Sequence, residues 1–251
     1  MKHEVIRHRH EVKWREPKVR EKLQITPLML RVVLEGGDLA DFISLSPDDH
    51  VKLFFPTGNE GPDERPPMRD FTPRRYDNAA KTLTIDFAVH EAGPATQWAI
   101  DAQVGDVLRM GGPRGSAVVS PTFDWYLLVG DETALPAIGR RLEELPDAKI
   151  IVIAAVPDAA EEQDFAVGAN HTIDWVHRFP AQNDDPAPLH EALRGLTLPE
   201  GDGFIWIAAE AKVARALRDH VRNDRGHPAE WTKAAGYWLK GVADAHEKLG
   251  D

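Results

Sequence analysis

The chain has 251 residues, a length that fits one large domain or two modest ones. Its formal net charge is -11 at pH 7, which argues against nucleic acid as the main partner because phosphate binding requires a cationic surface. It contains no cysteine, which excludes disulfides, thiolate zinc sites and cysteine-ligated iron–sulfur clusters. No segment is long and apolar enough to span a membrane, and the N-terminus lacks the apolar core of a signal peptide. We therefore expect a cytoplasmic protein with no membrane partner.

Three histidines lie near the N-terminus, at His3, His8 and His10. Such a group could form a metal-binding tract. A solvated, frayed terminus is the simpler interpretation, and we expect that one.

From Lys18 to about Pro113 the sequence predicts mostly strands. Short apolar or alternating segments are separated by turn signals and by one polar loop rich in Gly and Pro. One helix is expected, at PATQWAIDAQ. The pattern predicts an antiparallel six-stranded barrel. Its strand segments are VREKLQI, MLRVVLEG, HVKLFF, RDFTPRRYD, KTLTIDFAVH and DVLRMGG.

After Asp124 the pattern changes to apolar strands that alternate with helices. WYLLVG and KIIVIAAV are continuous apolar runs, as buried parallel strands are. TALPAIGRRLEEL and AKVARALRDHVRNDRG have helical spacing. This alternation predicts an α/β domain with a doubly wound, mainly parallel sheet. We place the barrel domain at residues 1–118 and the α/β domain at residues 119–251.

The first candidate site is Arg69-Asp70-Phe71-Thr72, at the start of a predicted strand. A flavin held against a barrel requires a flat apolar surface, a cation near its phosphates and a hydroxyl near its redox edge. Arg69, Phe71 and Thr72 supply these groups. An ordinary strand with a core Phe and a surface Arg is the alternative, and the tetrapeptide alone favours it.

The second candidate site is the segment HEAGPATQW. Pro94 suits the first position of a helix, with Gly93 as its cap. The free N–H groups of Ala95 and Thr96, together with the helix dipole, would then bind an anion such as a pyrophosphate. A plain strand–turn–helix explains these residues equally well, and His90 could be a structural histidine.

The third candidate site is Gly130–Pro136, which follows the buried strand WYLLV and opens a helix. In open α/β sheets, ligands bind beyond the carboxyl ends of the strands. The segment lacks the G-x-G-x-x-G fingerprint of dinucleotide-binding proteins. Asp131 or Thr133 could instead cap the helix with no ligand present.

Two further segments have less specific patterns. GGPRGS, from Gly111 to Ser116, is glycine-rich but ends a predicted strand, so we expect a turn between domains. Trp238, in GYWLKG, could lie over a flat cofactor or pack in the core.

Together these segments resemble the siderophore-interacting protein family, also called ferric-siderophore or NADPH-dependent ferric-chelate reductases, which are similar to ferredoxin–NADP reductases. The matching stretches follow the family's order from about Lys18 to Gly241, and GDETALPAI is the most specific. The others are RDFTPRRYD, TIDFAVHEAGPATQW, GGPRGS, DGFIWIAAEA and GYWLKG. The resemblance implies an N-terminal FAD-binding barrel and a C-terminal NAD(P)H-binding domain.

The resemblance also implies roles for individual residues. Phe71 stands where related flavoproteins often have Tyr, so ring packing is retained and a tyrosine hydroxyl is lost. Lys52 and Lys240 are the candidates for binding an anionic siderophore. The FAD set, to which we add Trp238, is Arg69, Phe71, Thr72, Asp86, Phe87, Val89, His90, Pro94, Ala95, Thr96 and Trp238. The NAD(P)H set is Asp131, Thr133, Ala134, Pro136 and Glu210.

The implied activity is electron transfer from NADPH or NADH through FAD to the Fe(III) of a ferric siderophore. Iron is then a substrate, and no protein nucleophile or structural metal is required. Ferredoxin is an alternative donor. The other functions to weigh are a general flavin reductase with another acceptor and a flavin-free siderophore-binding protein. Because the net charge should repel anionic siderophores, a local positive patch is expected.

Overall fold

The computed structural model describes residues 3–56, 58, 66–89, 93–242 and 247–248. The chain divides into two compact units, Lys2–Ser120 and Pro121–Asp251, whereas the sequence analysis places the boundary between residues 118 and 119. In the described part of the chain, none of the helices is long and apolar enough to cross a bilayer.

The first unit is an antiparallel β structure with one helix, as the sequence predicts. All six predicted strand segments form strands, and the predicted helix is present. The elements are β1 Val5–Arg9, β2 Trp14–Arg15, β3 Lys18–Thr26, β4 Met29–Glu35, β5 Val51–Phe54, β6 Met68–Phe71, β7 Pro73–Asp77, β8 Thr82–Ala88, α1 Pro94–Asp101, β9 Arg109–Gly111 and β10 Gly115–Val119.

Two four-stranded sheets, ordered β3-β4-β8-β7 and β2-β9-β5-β6, enclose one hydrophobic core. Val32 and Ile85 enter the core from the first sheet, and Leu53 and Met110 enter from the second. The segment RDFTPRRYD is divided at Thr72, so that β6 belongs to one sheet and β7 to the other. This change of sheet closes the barrel around its core.

The N-terminal segment corrects the prediction of a frayed terminus. β1 pairs with β10 in an antiparallel register from Val5 opposite Val119 to Arg9 opposite Gly115. The same pairing corrects the prediction for GGPRGS, because Gly115 begins a strand. A Cβ at Gly115 would lie 2.4 Å from the carbonyl oxygen of His8, so only glycine permits this approach. All five residues of β1 are exposed. A strand without a buried face has no alternating apolar pattern, so the sequence did not predict it.

The second unit is a parallel α/β structure, as predicted. Its sheet has the order β13-β12-β11-β14-β15-β16, in which all neighbours are parallel except the antiparallel pair β15-β16. The elements are β11 Trp125–Gly130, α2 Leu135–Glu144, β12 Ile150–Val156, β13 His171–His177, α3 Ala187–Gly195, β14 Gly203–Glu210, α4 Ala211–Asp219, β15 Thr232–Trp238 and β16 Glu247–Lys248. A π-helical turn, His220–Asp224, continues α4.

Burial explains why these strands have continuous apolar sequences. Every residue of β11 and β14 is buried. Leu189 of α3 and Leu217 of α4 pack into one core with Leu127 of β11 and Ile207 of β14. Because β11, β13, β14 and β15 run parallel, their carboxyl ends lie along one edge of the sheet, which we call the carboxyl edge.

Candidate functional site

The carboxyl edge of the α/β unit is organised around Asp131, which directly follows β11. This side chain is 1% exposed. Its Oδ1 accepts hydrogen bonds from the backbone N–H of Thr133 at 3.0 Å and from the Thr133 hydroxyl at 2.5 Å. Its Oδ2 accepts from the backbone N–H of Glu210 at 2.9 Å and from the Trp238 indole N–H at 2.9 Å. Asp131 therefore joins the ends of three parallel strands, β11, β14 and β15.

An ion pair lies beside this carboxylate. Arg178, which follows β13, donates from Nη2 to Glu132 Oε2 at 2.6 Å and lies 3.8 Å from Asp131 Oδ2. Burial and the adjacent Asp131 carboxylate raise the pKa of Glu132 to about 7, although the Arg178 guanidinium lowers it.

Glu210 ends β14 and caps α4. Its side chain is 0% exposed, and Oε2 accepts from the backbone N–H groups of Lys212 at 2.6 Å and Val213 at 3.2 Å. A carboxylate at a helix N-terminus is stabilised by the unpaired N–H groups and the helix dipole. The structure thus gives Glu210 a capping role, and its predicted contact with NAD(P)H stays a prediction.

The turn between β11 and α2 is tightly packed. A Cβ at Gly130 would lie 2.4 Å from the Ala134 Cβ and 2.7 Å from the Ala208 carbonyl oxygen, so glycine is required there. Ala134 is the N-cap of α2 and has no side-chain capping bond, which corrects the alternative that Asp131 or Thr133 caps this helix. Ala134 and Pro136 are buried, whereas Glu132 and Thr133 are half-buried and are the side chains that a ligand could reach.

Lys240 and Trp238 follow the same edge of the sheet. Lys240 Nζ donates to Asp184 Oδ1 at 2.6 Å and to the Ala181 carbonyl at 2.8 Å. The Trp238 ring is half-buried and is oriented by its bond to Asp131. The predicted contacts of Lys240 with siderophore and of Trp238 with FAD stay predictions.

In the barrel, Arg69 and Phe71 lie on β6 and Thr72 lies between β6 and β7, whereas the sequence predicts that these residues begin one continuous strand. Arg69 and Phe71 are half-buried and Thr72 is buried. Phe71 packs on the barrel's aromatic core, with its ring centroid 4.5 Å from that of Phe87 and 6.0 Å from that of Phe55. Phe71 therefore presents a supported, partly exposed ring, which fits the flat apolar surface that a flavin requires.

The other predicted FAD residues on β8 have internal partners. Asp86 is buried and bonds Arg31 through two hydrogen bonds of 2.7 and 2.8 Å, with Arg74 at 3.9 Å. The Phe87 ring is buried in the core, so only its backbone could reach a ligand. Val89 packs against the same core, and His90 lies outside the described residues.

The start of α1 has the predicted geometry. Gly93 is the N-cap, with no side-chain capping bond, and Pro94 begins the helix. The first N–H groups of a helix have no partner within it, so Ala95 and Thr96 can donate to an anion. These residues fit the pyrophosphate of FAD.

Lys52 of β5 lies opposite Asp70 of β6, and their charged groups are 3.0 Å apart. The Lys52 side chain thus has a carboxylate partner in its own unit, as Lys240 has in the other. The predicted contact of Lys52 with a siderophore stays a prediction.

Sequence reasoning missed four residues that complete these arrangements. Arg31 and Arg74 neutralise Asp86, and Arg178 pairs with Glu132. Asp184 holds both Lys240 and Lys212. Of these four, only Arg178 could have been found from the sequence. It directly follows a predicted parallel strand, and ligand-binding residues concentrate at such strand ends.

Two family models match the chain in order. The model described as Siderophore-interacting FAD-binding domain matches residues 18–63 and 59–117, within the barrel unit. The model described as Siderophore-interacting protein matches residues 123–241, within the α/β unit. Each structural unit therefore corresponds to its own family model.

Individual relatives agree with these matches. The chain is 35% identical to an NADPH-dependent ferric-chelate reductase of Escherichia coli, over 92% of this chain and 94% of that protein. It is 32% identical to the ferric vibriobactin reductase ViuB of Vibrio cholerae, over 88% of this chain and 87% of that protein. A crystal structure of a siderophore utilization protein from T. fusca has 37% identity and a TM-score of 0.89, covering 98% of this chain and 100% of that one.

The fold and the matched models define a flavoprotein in which an FAD-binding barrel precedes a nucleotide-type α/β unit. Within that class, the chain belongs to the siderophore-interacting protein family.

Proposed function

We propose that this chain is an FAD-dependent reductase that takes electrons from NADPH or NADH and delivers them to the Fe(III) of a ferric siderophore. The observation that carries the proposal is the match of an FAD-binding model to the barrel and of a siderophore-interacting model to the α/β unit. Fe(II) would be released in the cytoplasm, a reducing compartment that suits a chain without cysteine.

In the barrel, this chain's own groups would bind and orient FAD. The half-buried Phe71 ring supplies an apolar surface, Arg69 supplies a cation for the phosphates, and the α1 N-terminus supplies N–H donors. FAD, when bound, supplies the chemistry of accepting a hydride and donating single electrons.

In the α/β unit, the proposal places the nicotinamide donor at the carboxyl edge. The half-buried Glu132 and Thr133 would contact it, while the buried Ala134 and Glu210 shape the turn and the neighbouring helix. The E. coli relative supports NADPH as the donor by its name. Ferredoxin is the alternative donor, and anaerobic reduction of the flavin by each donor separates the two.

For the iron substrate, we assign Lys52 and Lys240 to the binding of an anionic ferric chelate. Lysine suits such a ligand because its charge sits on a flexible stem and can exchange one partner for another. Each lysine is held by one carboxylate, Asp70 or Asp184, and those contacts keep it ordered before substrate arrives.

The experiment is anaerobic reduction of the purified yellow protein by NADPH, NADH or reduced ferredoxin, followed by ferric chelates. We expect NADPH or NADH to bleach the flavin and a ferric siderophore to restore its colour with formation of Fe(II). If only reduced ferredoxin bleached the flavin, ferredoxin, and not NADPH or NADH, would be the electron donor. Reoxidation by other acceptors but by no ferric chelate would favour a general flavin reductase, and a colourless protein that binds siderophore would contradict the proposal.

A further inference from the structure

A group of metal-binding side chains lies between α3 and the π-helical turn that continues α4. His190 belongs to α3, and His220 and Asp224 belong to the turn. One ligand atom from each side chain, two imidazole nitrogens and a carboxylate oxygen, lies within 4.8 Å of the other two. The function proposed above uses none of these residues.

The His220 ring is held in place by Asp224. Its Nδ1 lies 2.9 Å from Asp224 Oδ2, and because a carboxylate accepts, the ring proton sits on Nδ1. Nε2 then carries the lone pair. The His220 side chain is only 10% exposed, and Nε2 has no hydrogen-bond partner among the described residues. A buried polar atom without a partner is costly, so an ion bound at Nε2 would stabilise this group.

The second imidazole is close by. The rings of His190 and His220 have centroids 4.6 Å apart and an interplanar angle of 65°. His190 is half-buried. The exposed Glu191 and Arg194, of opposite charge, lie near it, and Asp224 contributes one negative charge to the cluster.

We propose that His190, His220 and Asp224 form a binding site for a divalent transition-metal ion. The two imidazole nitrogens are the ligands, Asp224 orients the His220 ring and offsets the charge of the ion, and water completes the coordination. Imidazole with carboxylate selects ions such as Zn²⁺ or Co²⁺, whereas Mg²⁺ and Ca²⁺ prefer oxygen ligands alone. A carboxylate that fixes the tautomer of a histidine ligand is a recurrent feature of such sites.

The cluster is wider than a bound ion would require. Two nitrogens bound tetrahedrally at about 2.1 Å from one ion lie roughly 3.4 Å apart. His190 is half-buried, so its side chain has room to turn toward an ion held by His220, while Asp224, which is 68% exposed, keeps its contact with the His220 ring. The π-helical turn brings His220 and Asp224 into contact, and such turns frequently occur at functional sites.

The test is equilibrium dialysis of the full-length, FAD-loaded protein against Zn²⁺, with thermal unfolding measured in parallel. We expect one bound Zn²⁺ per chain and a higher Tm, because an ion that binds only the folded state stabilises it. His190→Gln and Asp224→Asn should each weaken binding by about tenfold or more. Both positions are at least partly exposed, so the variants should fold, as FAD content and circular dichroism will check.

The matched control is the double variant His3→Asn with His8→Asn, which removes most of the N-terminal histidine group. It should bind Zn²⁺ as the wild type does. In ¹H–¹⁵N imidazole spectra, Zn²⁺ should shift the Nε2 resonance of His220 in the wild type. Absence of Zn²⁺ binding, equal binding by the His190→Gln variant, or loss of binding in the N-terminal variant would each overturn the proposal.

Discussion

The barrel and the α/β unit hold their candidate residues in opposite ways. On the barrel, Phe71 is partly exposed and rests on buried aromatic rings, so its surface is formed before any ligand arrives. At the carboxyl edge of the α/β unit, the carboxylates of Asp131 and Glu210 are buried. They accept hydrogen bonds from the ends of neighbouring strands and of a helix. The barrel site is a supported surface, whereas the buried part of the edge is a hydrogen-bonded network. Substitutions of Phe71 should therefore act on ligand affinity, and substitutions of Asp131 or Glu210 should act on stability.

The largest effect is expected from Asp131→Ala. The change leaves the backbone N–H of Glu210 and the indole N–H of Trp238 without their acceptor. Each buried, unpaired donor costs about 1–3 kcal/mol, so the free energy of unfolding of the α/β unit should fall by about 3 kcal/mol or more. Urea unfolding followed by circular dichroism measures it. The exposed Asp147→Ala should change stability by less than about 0.5 kcal/mol. If Asp131→Ala and Asp147→Ala had the same free energy of unfolding, the hydrogen bonds of Asp131 would not stabilise the α/β unit.

The next effect is a pH dependence at Glu132. Its pKa is about 7 in the folded protein, against an ordinary value of 4.5. The unfolded state therefore loses this proton first, and stability falls as pH rises from 4.5 to 7. Relative to Glu132→Gln, which cannot titrate, the wild type should lose at most about 3 kcal/mol between pH 4 and pH 8. The exposed Glu200→Gln serves as the control, since it should follow the wild type. Parallel pH profiles of wild type and Glu132→Gln would show that the carboxyl titrates normally.

On the barrel, Arg69→Ala should weaken FAD binding and leave stability nearly unchanged. A charge-assisted hydrogen bond contributes about 1.5–3 kcal/mol, so the FAD dissociation constant should rise roughly tenfold or more. Titration of the apoprotein with FAD, followed by flavin fluorescence, measures it. The control is Arg109→Ala, an exposed arginine that stacks on Trp14. Unchanged FAD affinity in a folded Arg69→Ala protein would remove this residue from the site.

The smallest effect concerns the two lysines assigned to the siderophore. Lys52→Glu combined with Lys240→Glu should raise the apparent KM for an anionic ferric chelate several-fold at low salt. The effect should shrink with added salt, because the Debye length falls from ~10 Å at 0.1 M to ~3 Å at 1 M. Lys18→Glu combined with Lys149→Glu changes the net charge equally at exposed positions and should have little effect. Identical kinetics of the two double variants would place the chelate elsewhere.

The elements with strong periodicity were predictable from the sequence, and those formed by distant partners were not. β11 and β14 are buried on both faces, so their apolar runs identified them. β1 is exposed and forms only because β10, more than a hundred residues later, pairs with it. β15 was missed because Lys233 and Gly236 interrupt its apolar pattern.

The same distinction applies to the candidate site. Asp131 was singled out because it follows an apolar strand, and Glu210 was implied by the family resemblance. That Asp131 accepts from Trp238, and that Arg178 reaches Glu132, depends on the order of the strands in the sheet. Side-chain pairings between strands distant in sequence leave no local pattern, so only the structure reveals them.

In the proposed function, the carboxyl edge receives the nicotinamide donor, while FAD and the ferric chelate depend on other residues. Thr133 is half-buried at that edge, so Thr133→Phe adds bulk there, and Thr133→Val removes only the hydroxyl bond to Asp131.

The direct measurement is anaerobic stopped-flow kinetics of both half-reactions, flavin reduction and flavin reoxidation, in these variants. We predict that flavin reduction by NADPH falls at least tenfold in Thr133→Phe and much less in Thr133→Val. Chemically reduced Thr133→Phe should still be reoxidised by a ferric siderophore at the wild-type rate. Unchanged reduction by NADPH in a folded, FAD-loaded Thr133→Phe protein would contradict the claim.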